Sequence, residues 1–471
     1  MNHPPETDPK SMGLSFVFLN LRDGLFKNLA SLGYDTMTEI QAQSLPIMLN
    51  NQDVIAQAKT GSGKTAAFGL SLLNRLNLEN YAVQALILCP TRELAEQVSQ
   101  ALRQLARLLP NVKVLNLSGG MPLKPQLDSL RHGAHIIVGT PGRIQKHLDK
   151  KSLSLNHLQS LVLDEADRML DMGFFDAIRE IIMLCPKQRQ TLLFSATYPM
   201  EIQQLAREFM HNPKRIVVEE VEAELDIEQI FYESNHSKNK FALLKDLLLH
   251  YKLTSTLIFC NTKEQTTQLA GMLSKEGFSA IALNGDMEQV DRDMAIIRFK
   301  NQSCSILIAT DVAARGLDIK ELPAVINYEL AFEHDVHIHR IGRTGRAGNK
   351  GLALSITTPA DAERVCLIEE NLKHPVSWGN ARELNTKGSK IILPNMITLM
   401  LGAGRKDKIR PGDILGALTK DAGLAGDKIG KIDITPIYSY VAVHQNQAEK
   451  AFNYLQTGKL KGRKVNVKRL K

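Results

Sequence analysis

The stretch Ala58-Lys59-Thr60-Gly61-Ser62-Gly63-Lys64-Thr65 constrains this chain more than any other. It follows the apolar run Val54-Ile55-Ala56 and precedes a helical pattern from Ala66 to Leu73, so a strand, a glycine-rich turn and a helix succeed one another. Gly61 and Gly63 admit dihedrals closed to other residues, which lets successive backbone N–H groups turn inward, and the helix N-terminus adds partial positive charge. Such a turn can cradle phosphate. Lys64 would reach β- and γ-phosphates and the Thr65 hydroxyl a Mg²⁺ ion, as in the pattern GxxxxGK[ST], although Ala58 stands where that pattern has its first glycine. Taken alone, the stretch is equally compatible with a plain glycine turn.

At 471 residues the chain is too long for one core. Residues 1–15 are polar and proline-bearing and read as a disordered lead without a signal-peptide pattern, and no uncharged apolar run reaches the roughly 18 residues of a membrane span. A cytoplasmic protein without a membrane partner is expected. The five cysteines are scattered with no CxxC pair, which argues against a disulfide framework or a zinc site. Charge is uneven: from Asn385 onward 17 Lys and Arg face 6 Asp and Glu, a net +11, leaving −3 for the rest. A basic C-terminal segment points to a polyanion, with nucleic acid ahead of membrane because no basic amphipathic helix accompanies it.

Apolar runs separated by helix-length segments recur from Val54 to Val218, as a parallel sheet covered on both faces requires. The acidic stretch 219–226 reads as a linker or an entry strand. Alternation resumes from Thr256 to Ile356 without a second phosphate loop, and a stretch rich in Gly, Asn and Ser at 374–390 reads as another linker. The last segment has the order βαββαβ, the ferredoxin-like plan shared by RNA-recognition motifs and many unrelated domains. The expected organisation is α/β: parallel-sheet domains at 16–218 and 227–373 and a βαββαβ domain at 391–471.

Asp164-Glu165-Ala166-Asp167 follows the apolar strand Leu161-Val162-Leu163, at the carboxyl end where open α/β sheets bind ligands. An acidic cluster at a strand end is commonly a solvated turn. Paired with the loop at 58–65, it becomes a hydrolysis site in which Asp164 holds Mg²⁺ and Glu165 orients and deprotonates water.

At this point the chain resembles the DEAD-box RNA helicases over about residues 16–360. The elements AKTGSGKT from Ala58, PTREL from Pro90, Gly119-Gly120, TPGR from Thr140, DEAD at 164–167, SAT from Ser195, QVDR from Gln289, TDVAARGLD from Thr310 and HRIGRTGR from His339 stand in family order. The resemblance implies two tandem RecA-like domains and ATP with Mg²⁺ as cofactors. It implies adenine recognition by Gln41 with Tyr34, Thr38 and the upstream Phe16, with Phe18 an alternative; an amide satisfies both a donor and an acceptor on the base. Ala58, Thr60, Gly61, Ser62, Gly63, Lys64 and Thr65 would hold the triphosphate, Asp318 the ribose, and Arg343 and Arg346 would act as arginine fingers. Asp167, Ser195, Thr197, Arg315 and His339 would couple hydrolysis to RNA. Pro90, Thr91, Arg92, Gly120, Thr140, Gly142, Arg143 and Thr310 would hold the phosphates and sugars of one strand, contacts that carry little sequence information.

The run Arg410 to Leu418 with Ile429-Gly430-Lys431-Ile432 resembles the RNA-binding domain of the DbpA helicases. That resemblance implies a bacterial protein, expected to be monomeric, directed to a hairpin of 23S rRNA in the pre-50S particle. Thr398 and Val443 stand where RNA-recognition motifs carry stacking aromatics, and only Tyr438 and Tyr440 fit. Affinity is therefore expected from basic residues, Lys461, Arg463 and Lys464 foremost, with Lys406, Lys408, Arg410, Lys428, Lys431, Lys459, Lys468 and Arg469 as further candidates. Two other readings remain: an RNA clamp that uses ATP to hold rather than unwind, and a phosphate-loop ATPase acting on DNA.

Overall fold

The computed structural model describes residues 15–58, 61–120, 122–218, 227–235, 239–314, 322–345, 350–372 and 374–470. Contacts divide the chain into two compact units, 1–223 and 224–471. Thr60, Arg315, Asp318 and Arg346, and the stretch 219–226 read as a linker or an entry strand, lie outside the described residues.

In the first unit seven strands form one parallel sheet: β1 (Val54–Gln57), β2 (Ala85–Leu88), β3 (Val114–Leu117), β4 (Ile136–Gly139), β5 (Ser160–Leu163), β6 (Gln190–Ser195) and β7 (Lys214–Val217), in the order β3-β4-β2-β5-β6-β1-β7. Alternation of side chains divides the apolar runs between two cores. Ile87, Val138, Val162 and Leu192 face one layer of helices, and Leu86, Leu88, Ile137, Leu161 and Leu163 the other. Asp53, buried just before β1, accepts hydrogen bonds from the Thr191 and His211 N–H groups at 2.7 Å each and so fixes the start of β1 beside β6.

The second unit repeats the plan with β8 (Ile227–Glu233), β9 (Thr256–Phe259), β10 (Ala280–Leu283), β11 (Ile306–Ala309), β12 (Ala324–Asn327), β13 (Gly351–Thr357) and β14 (Ser377–Trp378), ordered β10-β11-β9-β12-β13-β8-β14 and again parallel. This corrects the reading of 374–390 as a linker: Ser377 and Trp378 pair with Ile230 and Phe231, and the Trp378 ring packs 6.0 Å from Phe231. Two residues are too short to show periodicity.

The last four strands, β15 (Met396–Leu401), β16 (Ile429–Ile434), β17 (Ser439–His444) and β18 (Val467–Leu470), form an antiparallel sheet ordered β16-β17-β15-β18. One face, with Leu399, Leu401, Val441 and Val443, packs on Leu418 and Leu455 from the two helical segments. The first helical segment of this domain is α-helical over Pro411–Gly416 and continues as a wider turn over Ala417–Asp421. Among the described residues, no helix is long and apolar enough to cross a membrane.

Candidate functional site: a nucleotide cradle and a strand-binding face

Strand order brings the motifs together. β5, β6 and β1 are neighbours, so their carboxyl ends set Asp164, Ser195 and the loop after Ala58 side by side, and the Ala58 N–H donates to the Ser195 carbonyl at 3.0 Å.

The loop is braced from below. Gly63 has φ +92°, and a Cβ there would lie 2.5 Å from Gln41 Nε2, so the position demands glycine twice over. Gln41 Nε2 donates to the Gly63 carbonyl at 3.1 Å, its Oε1 accepts from the Thr38 N–H at 3.0 Å, and Thr38 Oγ1 donates to the Ser62 carbonyl at 2.7 Å. This adds to the adenine role expected of Gln41: here its amide holds the phosphate loop, with one N–H and one lone pair left over for a base. Phe16 is buried and meets Tyr34 edge-on at 6.4 Å between ring centres, whereas Phe18 is 71% exposed.

Lys64 is buried and donates to the Ala58 carbonyl at 2.6 Å. Burial lowers its proton affinity, against the opposing pull of Asp164 and Glu165. Asp164 is pushed up to about 7 by burial and by the neighbouring Glu165 charge. A buried carboxylate with raised proton affinity fits a cation, and Mg²⁺ sites commonly use one or two carboxylates with substrate phosphates; Asp164 and the Thr65 hydroxyl would hold it. Such an ion would neutralise charge on the phosphates.

Glu165 sits at φ 52°, ψ 53° and caps the helix Ala166–Asp171. Its Oε2 accepts from Arg168 Nη1 at 2.8 Å in a buried ion pair that the motif reading missed. Asp167 is tied to the next strand: Oδ2 accepts from the Ala196 and Thr197 N–H groups at 3.1 and 2.9 Å and from Thr197 Oγ1 at 3.1 Å, while its own N–H donates to Ser195 Oγ at 3.2 Å. Burial pushes Asp167 up, but these bonds and the Arg168 charge hold it below the usual carboxylate range. The expected coupling residues of this unit thus form one hydrogen-bonded group.

On the other half of the same edge, β2 and β4 lead into helices at Arg92–Leu105 and Pro141–Asp149, and Thr91 Oγ1 caps the first by accepting from the Leu94 N–H at 3.2 Å. Two helix N-termini, Arg92 and Arg143 suit an anionic strand. A Cβ on Gly119 would come within 3.0 Å of the Arg92 guanidinium, and Gly142 faces open space.

In the second unit Thr310 Oγ1 accepts from the Ala313 N–H at 3.3 Å just beyond β11. Beside it lies Arg340, quoted within HRIGRTGR but assigned no role from sequence. It is buried, grips both oxygens of Asp311 at 2.7 and 2.8 Å, and donates to Asn261 Oδ1 at 2.8 Å and the Glu329 carbonyl at 2.6 Å. One guanidinium therefore ties together the ends of β9, β11 and β12, from a helix (His334–Ile341) that also carries His339; Arg343 follows it.

The C-terminal sheet corrects two expectations. Tyr440, expected to contact RNA, is only 2% exposed, and Val443 belongs to the inner core, so Ala442 is the residue that shares Tyr440's face. That outer face is closed by the preceding domain: Thr398 is fully buried, Ser303 Oγ lies 2.6 Å from Thr398 Oγ1, and the charge of Asp293 raises the proton affinity of Tyr440 beyond the effect of burial. A threonine stands at the stacking position because the face meets protein. Tyr438 stays partly exposed. Lys461 and Arg463 do lie at an exposed edge, where Lys461 Nζ pairs with Asp413 at 3.0 Å and Arg463 with Asp407 at 3.6 Å; Lys464 is exposed beside them. Such surface pairs contribute about 0–1 kcal/mol each, so they open readily to a polyanion.

Three family profiles match: DEAD/DEAH box helicase over residues 38–205, helicase conserved C-terminal domain over 239–348 and DbpA RNA binding domain over 398–469. The chain is 51% identical to the ATP-dependent RNA helicase DbpA of Escherichia coli (strain K12), covering 94% of this chain and 96% of that protein. It is 37% identical to the DbpA of Bacillus subtilis (strain 168), with the same coverage of both. A solved structure of Saccharomyces cerevisiae Dbp5 bound to RNA and ADP BeF3 is similar at a TM-score of 0.71 and 32% identity, over 78% of this chain and 96% of that one. With two RecA-like sheets and the DbpA domain in this order, the chain belongs to the DEAD-box ATP-dependent RNA helicases of the DbpA type.

Proposed function

We propose that this RNA-dependent ATPase acts on RNA duplexes next to a hairpin of 23S rRNA, in the cytoplasm, as a monomer working on pre-50S particles, with Mg²⁺ bound alongside ATP. The observation that carries the address is the DbpA-type domain itself: its sheet face is covered, while Lys461, Arg463 and Lys464 gather at an exposed edge beside the loop carrying Lys406, Lys408 and Arg410. Basic groups around a fold bind folded RNA by shape and charge. In this reading Lys64 and Asp164 hold the metal-bound triphosphate, Glu165 orients and deprotonates the attacking water, and Arg343 with Arg346 supplies positive charge as the γ-phosphate leaves. Arg92, Arg143, Gly120, Thr140 and Thr310 hold one strand by its backbone.

The test is steady-state ATPase with three RNAs: the ribosomal hairpin with a single-stranded extension, a scrambled-loop version and an unstructured RNA. Strong stimulation by the native hairpin alone is expected. Equal stimulation by all three would remove the ribosomal address and leave a general RNA-remodelling enzyme.

A further inference from the structure

Outside every motif, on the helix Leu123–Arg131, the buried Gln126 joins three parts of the strand-binding face. Its Nε2 donates to the Ser118 carbonyl at 3.0 Å, immediately before Gly119-Gly120. Its Oε1 accepts from Arg143 Nη1 at 3.1 Å and lies 3.1 Å from His147 Nε2. Because the amide nitrogen is committed to a carbonyl, the amide oxygen must face the two side chains, so His147 carries its proton on Nε2. The Ser152 hydroxyl lies 2.9 Å from His147 Nδ1 and 3.0 Å from the His147 carbonyl, to which it donates. Burial, then the Arg143 charge, lowers the proton affinity of His147.

We propose that Gln126, backed by His147 and Ser152, is a positioning residue that aims the Arg143 guanidinium at an RNA phosphate and locks it to the Gly119-Gly120 turn. The inference rests on the reading of Arg143 as a strand contact. A guanidinium on a rotamer-rich side chain loses less freedom on binding when one of its N–H groups is already held. Gln126 leaves the remaining N–H groups of Arg143 to other acceptors. Burial first, and the Arg92 charge second, lowers the proton affinity of Arg143, so two guanidinium groups act on one neighbourhood, a repulsion that a phosphate backbone relieves.

The test is a double-mutant cycle on the full chain with Gln126→Met, Arg143→Ala and both, reading half-saturating RNA in the ATPase assay, its salt dependence, nucleotide affinity without RNA, and thermal melting. Q126M should raise half-saturating RNA about five- to tenfold, as expected for a lost charge-assisted contact. It should flatten the salt dependence toward the loss of about 0.7 in slope expected when one single-strand phosphate contact goes. Nucleotide affinity without RNA should not move, and Q126M should add nothing in the R143A background. Gln126→Asn keeps an amide one carbon too short to span Ser118 and Arg143, and gives the same pattern should Q126M fold poorly. Wild-type RNA dependence in Q126M or Q126N, or a loss that adds to that of R143A, overturns the inference. An R143A variant with unchanged RNA dependence overturns the strand reading beneath it instead.

Discussion

Asp164 and Asp167, three residues apart, fare differently because their partners differ. Asp167 receives N–H groups from the turn after β6, whereas Asp164 is buried beside Glu165 and is pushed up to about 7. Folding raises Asp164 from 3.8, so its stabilising share is complete below about pH 4 and is lost as pH rises through about 7. Asp164→Asn should accordingly raise the melting temperature of the nucleotide-free protein at pH 8 by about 2–4 °C per kcal/mol recovered. The gain should be smaller at pH 5 and vanish near pH 4, and hydrolysis should be abolished; melting below wild type at pH 8 would contradict this account. For the buried Arg168–Glu165 pair, Arg168→Met should cost about 3–5 kcal/mol in denaturant unfolding, because it takes a guanidinium from a buried carboxylate. Adding Glu165→Gln should recover most of that cost; no recovery would mean that Arg168 stabilises by packing alone.

At the scale of elements, the parallel sheets were legible because their central strands, apart from β8 with its mixed IEQIFYE, are short apolar runs with helix-length spacers, and the motifs fall at strand ends. The βαββαβ order was legible for the same reason. What sequence could not show was tertiary. Ser377-Trp378 is too short to read as a strand, the Arg168–Glu165 and Gln126–Arg143 contacts leave no periodic trace, and the covering of the β15–β17 face depends on Ser303 lying nearly a hundred residues before Thr398. One signal was present: a threonine and an alanine where aromatics would stack. Restoring an aromatic with Thr398→Tyr should overpack this contact and cost about 1–3 kcal/mol. A T398Y protein with unchanged unfolding and better RNA binding would instead show the face to be open. In the phosphate loop, Gly63→Ala places a Cβ 2.5 Å from Gln41 Nε2 at φ +92°. The strain of about 1–3 kcal/mol should weaken nucleotide binding about five- to 150-fold in a fluorescent-nucleotide titration.

For the whole molecule, the basic C-terminal domain and the helicase domains serve one reaction only if ATP turnover is coupled to strand separation at the chosen RNA. Linkage requires that what favours RNA binding in the ATP-bound state also favours ATP binding in the RNA-bound state, so the two ligands should strengthen each other. The most direct test is duplex release measured beside ATP turnover, on a short RNA duplex adjoining the native hairpin and on the same duplex beside a scrambled loop. We expect ATP-dependent release that is fast only with the native hairpin and is lost in Glu165→Gln while ATP and RNA still bind. ATP hydrolysis with the duplex retained on both substrates would contradict the account and make the protein an RNA clamp.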